Sequence, residues 1–143
     1  MASILFGGDE EHSEENSPHK DLISRIKQEH DVTFVNTGKS MLFELIRSRS
    51  EIVPKKYDAI LYDSLLFYGV PEVERRAELF VERVVDYLKY GNTPVIVLAD
   101  AYLGEKIRPA VEAAGFKHVQ MPYSIDAVLQ EVTTVVKKLE RGS

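Results

Sequence analysis

Residues 57–63, with the sequence YDAILYD, decide the fold. The apolar run within Tyr57–Tyr62 predicts a short β-strand, and Asp63 follows it directly. A continuous apolar run of this length is typical of a strand covered on both faces, as in a parallel sheet between helices. A carboxylate at the end of such a strand is either a turn residue or part of a functional site.

The rest of the chain alternates between strand-like and helix-like segments. Four further strands are predicted, at Ser3–Phe6, Asp31–Val35, Pro94–Ala99 and Lys117–Met121. Apolar residues at helical spacing predict five helices. Their stripes are Leu22, Ile23 and Ile26; Met41, Leu42, Leu45 and Ile46; Val73, Ala77, Phe80, Val84 and Leu88; Ile107, Val111 and Ala114; and Ile125, Val128, Leu129, Val132, Val136 and Leu139. Ser124 is the predicted N-cap of the fifth helix, and Pro109 is expected only near the start of the fourth.

This alternation predicts an α/β fold with a doubly wound parallel sheet and helices on both faces. Two topologies are compatible with it: the flavodoxin-like strand order 2-1-3-4-5, and a fragment of a Rossmann sheet. Five strand–helix units favour the flavodoxin-like order. No linker or internal repeat is visible, so we expect residues 1–143 to form a single domain.

The composition excludes several classes of protein. No cysteine is present, which rules out disulfides, thiolate metal sites and cysteine nucleophiles. The formal net charge of −5 argues against a nucleic-acid partner, which would need a basic surface. The apolar runs are too short to cross a membrane, and the first residues lack the basic start of a signal peptide. We therefore expect a cytoplasmic protein without a membrane partner.

Three acidic residues are predicted to meet at the carboxyl edge of the sheet. In the order 2-1-3, the first strand leads to Asp9 and Glu10 and the neighbouring third strand ends at Asp63. Ligands bind at this edge in open parallel sheets. Three carboxylates in one crevice repel each other unless a cation or a proton compensates them. A hard cation such as Mg²⁺ is the cofactor that would suit them.

Several segments resemble the receiver domains of response regulators, the CheY-like family. ILFGGDEE resembles the acidic-pair segment of that family, and YDAILYDSLLFYG resembles the segment of its phospho-accepting aspartate. TPVIVLADAY and FKHVQMPYS match the segments of the fourth and fifth strands in shape. The resemblance implies that Asp63 is the candidate phospho-acceptor, that Asp9, Glu10 and Asp63 are candidate Mg²⁺ ligands, and that the partner is a signalling protein or kinase.

Two departures from the family pattern make this an atypical, or pseudo-receiver, sequence. Ala99 stands where the family has a Thr or Ser hydroxyl, and Met121 stands where it has a lysine. In the family both groups stabilise the phosphoryl anion, so their loss removes two stabilisers and the latch of the switch. The sequence thus predicts a non-enzymatic signalling module with a degenerate phosphorylation site that acts through protein–protein interaction.

Two other functions stay open. One is a working phospho-acceptor that uses Asp63 with Mg²⁺, and the other is a small enzyme that uses the same acidic crevice. No G-x-G-x-x-G motif or P-loop follows the first strand, which disfavours nucleotide and flavin phosphates.

The acidic residues and one histidine also have plainer interpretations. Asp63 could be a turn residue. Five acids occur among the seven residues Asp9–Glu15, and such runs are often solvated loops. His12 could join these acids around a transition metal, although a surface histidine is the better explanation.

The resemblance also implies an interaction face. Receivers dimerise and signal through the fourth helix, the fifth strand and the fifth helix, and we expect a protein partner or a second subunit there. Tyr102 and Tyr123 follow the fourth and fifth strands, and His118 lies in the fifth, where receivers often carry an aromatic switch residue. Aromatic residues are enriched in the cores of interfaces.

Overall fold

The computed structural model describes residues 2–8, 12–48, 57–63, 93–99 and 103–142. Its strands are β1 (Ser3–Gly7), β2 (Asp31–Val35), β3 (Ala59–Asp63), β4 (Val95–Ala99) and β5 (Lys117–Gln120). Its helices are α1 (Lys20–Lys27), α2 (Gly38–Ser48), α3 (Leu103–Ala113) and α4 (Ile125–Gly142), with a short 3₁₀ turn at Glu14–Asn16. The third predicted helix and its Val73–Leu88 stripe lie outside the described residues.

The strands form one five-stranded parallel sheet in the order β2-β1-β3-β4-β5. This confirms the predicted flavodoxin-like order over the Rossmann fragment. β3 is the central strand, with Gly7 of β1 opposite Tyr62 on one side and Leu98 of β4 opposite Asp63 on the other. The fold therefore brings the end of β3 between the ends of two buried neighbours.

The bounds of β2 match the prediction, and those of the other strands shift by one or two residues. β3 begins at Ala59 and includes Asp63. Two contacts before it explain the later start: the Tyr57 hydroxyl donates to Glu44 of α2 at 2.6 Å, and the Asp58 carboxylate accepts the Ser3 N–H at 2.8 Å. These contacts hold residues 57 and 58 at the entrance of the strand rather than in it.

Two apolar layers cover the sheet, one on each face. On one face Leu5, Tyr62 and Val97 pack against residues of α2 and α3, and on the other Phe6, Leu61 and Leu98 pack against α1 and α4. The buried helical residues are Leu22, Ile23 and Ile26 of α1, Met41 and Leu45 of α2, Val111 of α3, and Val128, Val132 and Val136 of α4. These buried helical residues thus all come from the predicted stripes, of which Ile46 is half exposed, while the side chains of Ile107 and Leu139 lie outside the description.

The two residues predicted to mark helix starts have different outcomes. Ser124 directly precedes α4, and its hydroxyl accepts the Ala127 N–H at 3.4 Å, so the predicted N-cap is confirmed. The prediction for Pro109 is wrong, because α3 begins at Leu103 and Pro109 lies inside it. Proline has no N–H for the carbonyl four residues earlier. Pro109 is exposed, so the missing hydrogen bond lies in a turn that faces solvent rather than the core.

Replacing Gly7 should disturb the core beside the central strand. A Cβ atom there would lie 2.7 Å from Sδ of Met41 and 3.1 Å from Cβ of Tyr62, both buried. We expect Gly7→Ala to lower the free energy of unfolding, measured by urea denaturation, by about 1–3 kcal/mol. The control Ser24→Ala, on the exposed side of α1, should change it by less than about 0.5 kcal/mol. Equal stability of Gly7→Ala and the wild type would contradict the close packing.

Candidate functional site

Asp63 lies at the carboxyl end of the central strand and is buried. It is the last residue of β3, and only 1% of its surface is exposed. An ionised carboxylate removed from water needs hydrogen-bond donors or a cation close to it. The nature of those partners decides what this site can do.

His19 is a direct partner of Asp63. It is also 1% exposed, and its Nε2 lies 2.6 Å from Oδ2 of Asp63. His19 is the N-cap residue of α1, and its backbone N–H donates to the hydroxyl of buried Ser17 at 3.1 Å. The loop before α1 therefore turns inward at His19 and places the imidazole against the end of β3.

The other ring nitrogen of His19 contacts Tyr123. Nδ1 is hydrogen-bonded to the Tyr123 hydroxyl, and the two rings stack with centroids 5.6 Å apart and planes 10° apart. Phe6 of β1 lies at 5.6 Å on a tilted plane. Aromatic neighbours and two hydrogen bonds thus fix both the position and the orientation of the imidazole.

The three side chains form a hydrogen-bonded relay with a consistent direction. A neutral imidazole can accept the Tyr123 O–H at Nδ1 and donate its Nε2 hydrogen to ionised Asp63, which gives both ring nitrogens and Oδ2 a partner. Burial raises the pKa of the Tyr123 phenol, and the carboxylates of Asp63 and Asp21 raise it further. The phenol therefore stays protonated as a donor, and its raised pKa opposes a role as a nucleophilic phenolate.

A groove lies beside the relay, between the first turns of α1 and α4. Its volume is about 430 Å³, and it is lined mainly by apolar side chains, together with His19, Asp21 and Tyr123. The apolar lining comes from Pro18, Leu22, Met121, Pro122 and Ile125. The relay thus joins a buried carboxylate to a residue that lines an open groove.

The two residues that depart from the receiver pattern are neighbours. The Met121 N–H donates to the Ala99 carbonyl at 2.7 Å, so the ends of β4 and β5 lie side by side. Neither side chain carries a hydroxyl or an ammonium group. The polar groups that these positions would supply in a receiver are absent from both of them.

Comparison with solved structures identifies the fold. The receiver domain of the Francisella response regulator 1452 superposes with a TM-score of 0.66 at 20% identity, covering 97% of this chain and 99% of that domain. The Vibrio cholerae chemotaxis protein CheY4 gives 0.62 at 19% identity, covering 94% and 98%. This chain has the receiver-domain fold. No protein-family profile matches the sequence, and no curated protein does.

A third neighbour concerns the metal. The receiver domain of the sensor histidine kinase PA1611 from Pseudomonas aeruginosa superposes with a TM-score of 0.61 at 18% identity, covering 95% of this chain and 98% of that domain. That protein is described with magnesium coordinated in its active-site cleft. In this receiver fold His19 engages Oδ2 of Asp63, and the residues the structure describes contain no group of three potential metal ligands. With His19 in place, this part of the pocket does not fit a divalent cation.

Several predicted site residues are not brought to the relay. Asp9, Glu10 and Tyr102 lie outside the described residues. His12 is half-buried, and its carbonyl accepts the Asn36 side chain at 3.2 Å. His118 is half-buried on β5, opposite Val97 of β4. Within the described part of the chain, no helix is both long and apolar enough to cross a membrane.

Sequence reasoning missed His19, and it gave Tyr123 a different role. His19 ends the polar stretch GGDEEHSEENSPH, where nothing in the spacing separates it from a surface residue. Its partner Asp63 is 44 residues away and Tyr123 is 104 residues away, so only the folded sheet joins them. The one available signal was the pairing of a lone histidine at the start of a helix with a carboxylate at the end of a neighbouring strand.

The contact between His19 and Asp63 should appear as an energetic coupling. We expect His19→Ala to lower the free energy of unfolding by about 3–5 kcal/mol, because it removes a donor from a buried carboxylate. In an Asp63→Asn background the same change should cost at least about 1 kcal/mol less, since a neutral amide is easier to bury. Urea denaturation of the four proteins measures both values.

A second double-mutant cycle, with His118→Ala in place of His19→Ala, provides the control. His118→Ala alters a half-buried histidine on β5, and its cost should be the same in both backgrounds. If the costs of His19→Ala and Asp63→Asn add to within about 0.5 kcal/mol, the contact contributes no coupling and the relay is wrong.

Proposed function

We propose that residues 1–143 act as a single receiver-like signalling module whose output does not depend on phosphorylation of Asp63. The observation that carries the proposal is the buried contact of 2.6 Å between His19 and Asp63. A phospho-accepting carboxylate needs an oxygen free to attack the phosphodonor and a cation to neutralise the developing charge. Here an imidazole from the same chain engages Oδ2.

The surroundings of Asp63 support the same conclusion. Ala99 and Met121 offer neither a hydroxyl nor an ammonium group to a phosphoryl oxygen, and their backbones are hydrogen-bonded to each other. An acyl phosphate on Asp63 would therefore meet an alanine and a thioether at the positions where receivers place polar stabilisers. The phosphoryl anion would be poorly compensated. Neither a hydroxyl nor a lysine at these two positions would respond to its formation or hydrolysis.

The alternative is a working phospho-acceptor that uses Asp63 with Mg²⁺. The survival of a carboxylate at the end of β3 and the magnesium described for the PA1611 receiver favour it. It requires His19 to leave Oδ2, which also breaks the imidazole's stacking with Tyr123. For the enzyme hypothesis, the raised pKa of Tyr123 argues only against this phenol as a nucleophile.

Small phosphodonors should not stably phosphorylate the wild-type protein. After incubation with acetyl phosphate and Mg²⁺, intact-mass spectrometry should detect the unmodified chain, because the pocket offers neither a free Oδ2 nor the two stabilising groups. A receiver domain that is known to accept phosphate serves as the positive control, and Asp63→Asn serves as the negative one. A substantial gain of one phosphate that Asp63→Asn abolishes would establish the alternative instead.

We further propose that a protein partner or a second copy docks on the face made by α3, β5 and α4. This face carries exposed ion pairs, between Arg108 and Glu112 at 2.8 Å and between Lys117 and Glu131 at 3.6 Å. β5 is an edge strand whose Lys117 and Gln120 are exposed. Tyr123 is a poor probe of this face, because its hydroxyl contacts His19.

Charge reversal on β5 tests the docking face for self-association. We expect Lys117→Glu with Gln120→Glu to shift sedimentation equilibrium toward the monomer by about tenfold or more, since like charges then meet across the interface. Ser24→Glu, at an exposed position of α1 and outside the three elements of this face, is the control and should leave association unchanged. Equal association of both variants and the wild type would contradict this face as the dimer interface.

A further inference from the structure

The groove beside the relay has the size and the lining of a small-molecule site. Its volume of about 430 Å³ lies within the range of about 300–1,000 Å³ that is typical of such sites. Ligand pockets of this kind are mostly apolar, with a few polar groups that fix the orientation of the ligand. The apolar lining includes Pro18 before α1, Met121 after β5 and Ile125 at the start of α4. Three segments of the chain thus offer apolar surface to the body of a ligand.

With His19 neutral, as in the relay, the described residues that line the groove carry one formal charge, and it is negative. Asp21 lies in the first turn of α1 and is exposed. Its carboxylate has no hydrogen-bond or ion-pair partner among the residues that the structure describes. No lysine or arginine occurs among the described lining residues. A ligand with one positive charge is therefore complementary to this groove, and an anionic ligand is repelled.

Tyr123 supports the same sign of charge for the ligand. It lines the groove, and its pKa is raised by burial and then by the carboxylates of Asp63 and Asp21. The negative potential that opposes a phenolate at this place favours a cation there. A tyrosine ring also attracts an ammonium group that lies over its face. The lining thus combines an apolar surface, a carboxylate and an aromatic ring.

The methionine at position 121 keeps positive charge away from this wall of the groove. Met121 stands where receivers have a lysine, and it lines the groove next to Tyr123. A lysine at this position would bring an ammonium group beside a cationic ligand, and the two like charges would repel each other. A thioether is instead polarisable and adapts to the shape of an apolar ligand. The residue that weakens the pocket for a phosphoryl group therefore improves the groove for an apolar cation.

We propose that this groove is a binding site for a small organic monocation, an ammonium ion with an aliphatic or aromatic body, whose charge pairs with Asp21. The body of the ligand packs against Pro18, Met121 and Ile125. Because Tyr123 lines the groove and is also a member of the relay, a ligand in this site touches the relay from outside. The inference goes beyond the proposed function and does not rest on it, because none of its steps depends on whether Asp63 is phosphorylated.

The test compares three small ligands that differ in charge and share a phenyl ring on a short chain. Phenethylammonium is the cationic probe, phenethyl alcohol is the neutral one and phenylacetate is the anionic one. Their binding to the isotope-labelled full chain is followed by the amide chemical shifts in NMR titrations. We expect the ammonium ion to bind about three- to tenfold more tightly than the alcohol, which lacks the ion pair with Asp21. Phenylacetate should bind more weakly than the alcohol, and the largest shifts should map to the groove.

Three variants locate the charge that the ligand recognises. Asp21→Asn should reduce the affinity for the ammonium ion to that for the alcohol and leave the affinity for the alcohol unchanged. Asp126→Asn is the matched control, because Asp126 is an exposed carboxylate of α4 that is paired with Arg25 at 3.5 Å and does not line the groove. This control should keep the preference for the ammonium ion. Met121→Lys should abolish that preference, since its ammonium group repels the probe.

Each other outcome overturns the proposal. Equal affinity of the wild type for the ammonium ion and the alcohol, or no binding of the ammonium ion at about 10 mM, would show that the groove does not select a cation. A preference that survives Asp21→Asn, or that Asp126→Asn removes equally, would show that Asp21 is not the partner. If the amide spectrum of a variant is not that of a folded chain, the three ligands on the wild type decide: the order ammonium ion, alcohol, phenylacetate with shifts in the groove supports the proposal, and any other order overturns it.

Discussion

The burial of one carboxylate organises the functional end of this molecule. Asp63 ends the central strand of a sheet covered on both faces, so water cannot solvate it freely. A carboxylate in that position must be neutralised, coordinated or hydrogen-bonded by groups from other parts of the chain. The inward turn at His19 and the placement of Tyr123 both serve this requirement. The contacts around Asp63 can therefore be explained by the need to stabilise a buried carboxylate, independently of any signalling role.

The pocket takes its polar groups from unexpected elements. The ends of β4 and β5 provide Ala99 and Met121, joined through their backbones, and contribute no polar side chain from these two positions. The donor to Oδ2 comes instead from the loop that leads into α1, and a tyrosine after β5 supports it. The chain thus combines the receiver fold with a histidine donor at the end of its central strand, and one fold can carry different sites.

The fold was predictable from the sequence, whereas the site was predictable only in part. Apolar runs such as Ala59–Tyr62 and the α4 stripe encode burial directly, so strand order and core residues follow from pattern and topology. Asp63 was predictable because it interrupts such a run. His19 was not, because a hydrogen bond between residues 44 positions apart leaves no periodic trace. The prediction that Pro109 lies near the start of its helix was wrong, because an exposed turn of a helix tolerates a missing N–H that a buried turn would not.

The separation in sequence between His19 and Tyr123 has a consequence for folding. Their contact spans 104 residues, whereas the turns of α1 form from neighbours. Bringing distant residues together costs more chain entropy than joining neighbours, and proteins rich in such contacts fold more slowly. The relay joins His19, at the start of α1, to Tyr123, which follows β5, so it exists only when both segments are in their native places. The relay thus links the two ends of the chain at this point, and local opening of the segment around Tyr123 would remove a contact that holds His19 against the central carboxylate.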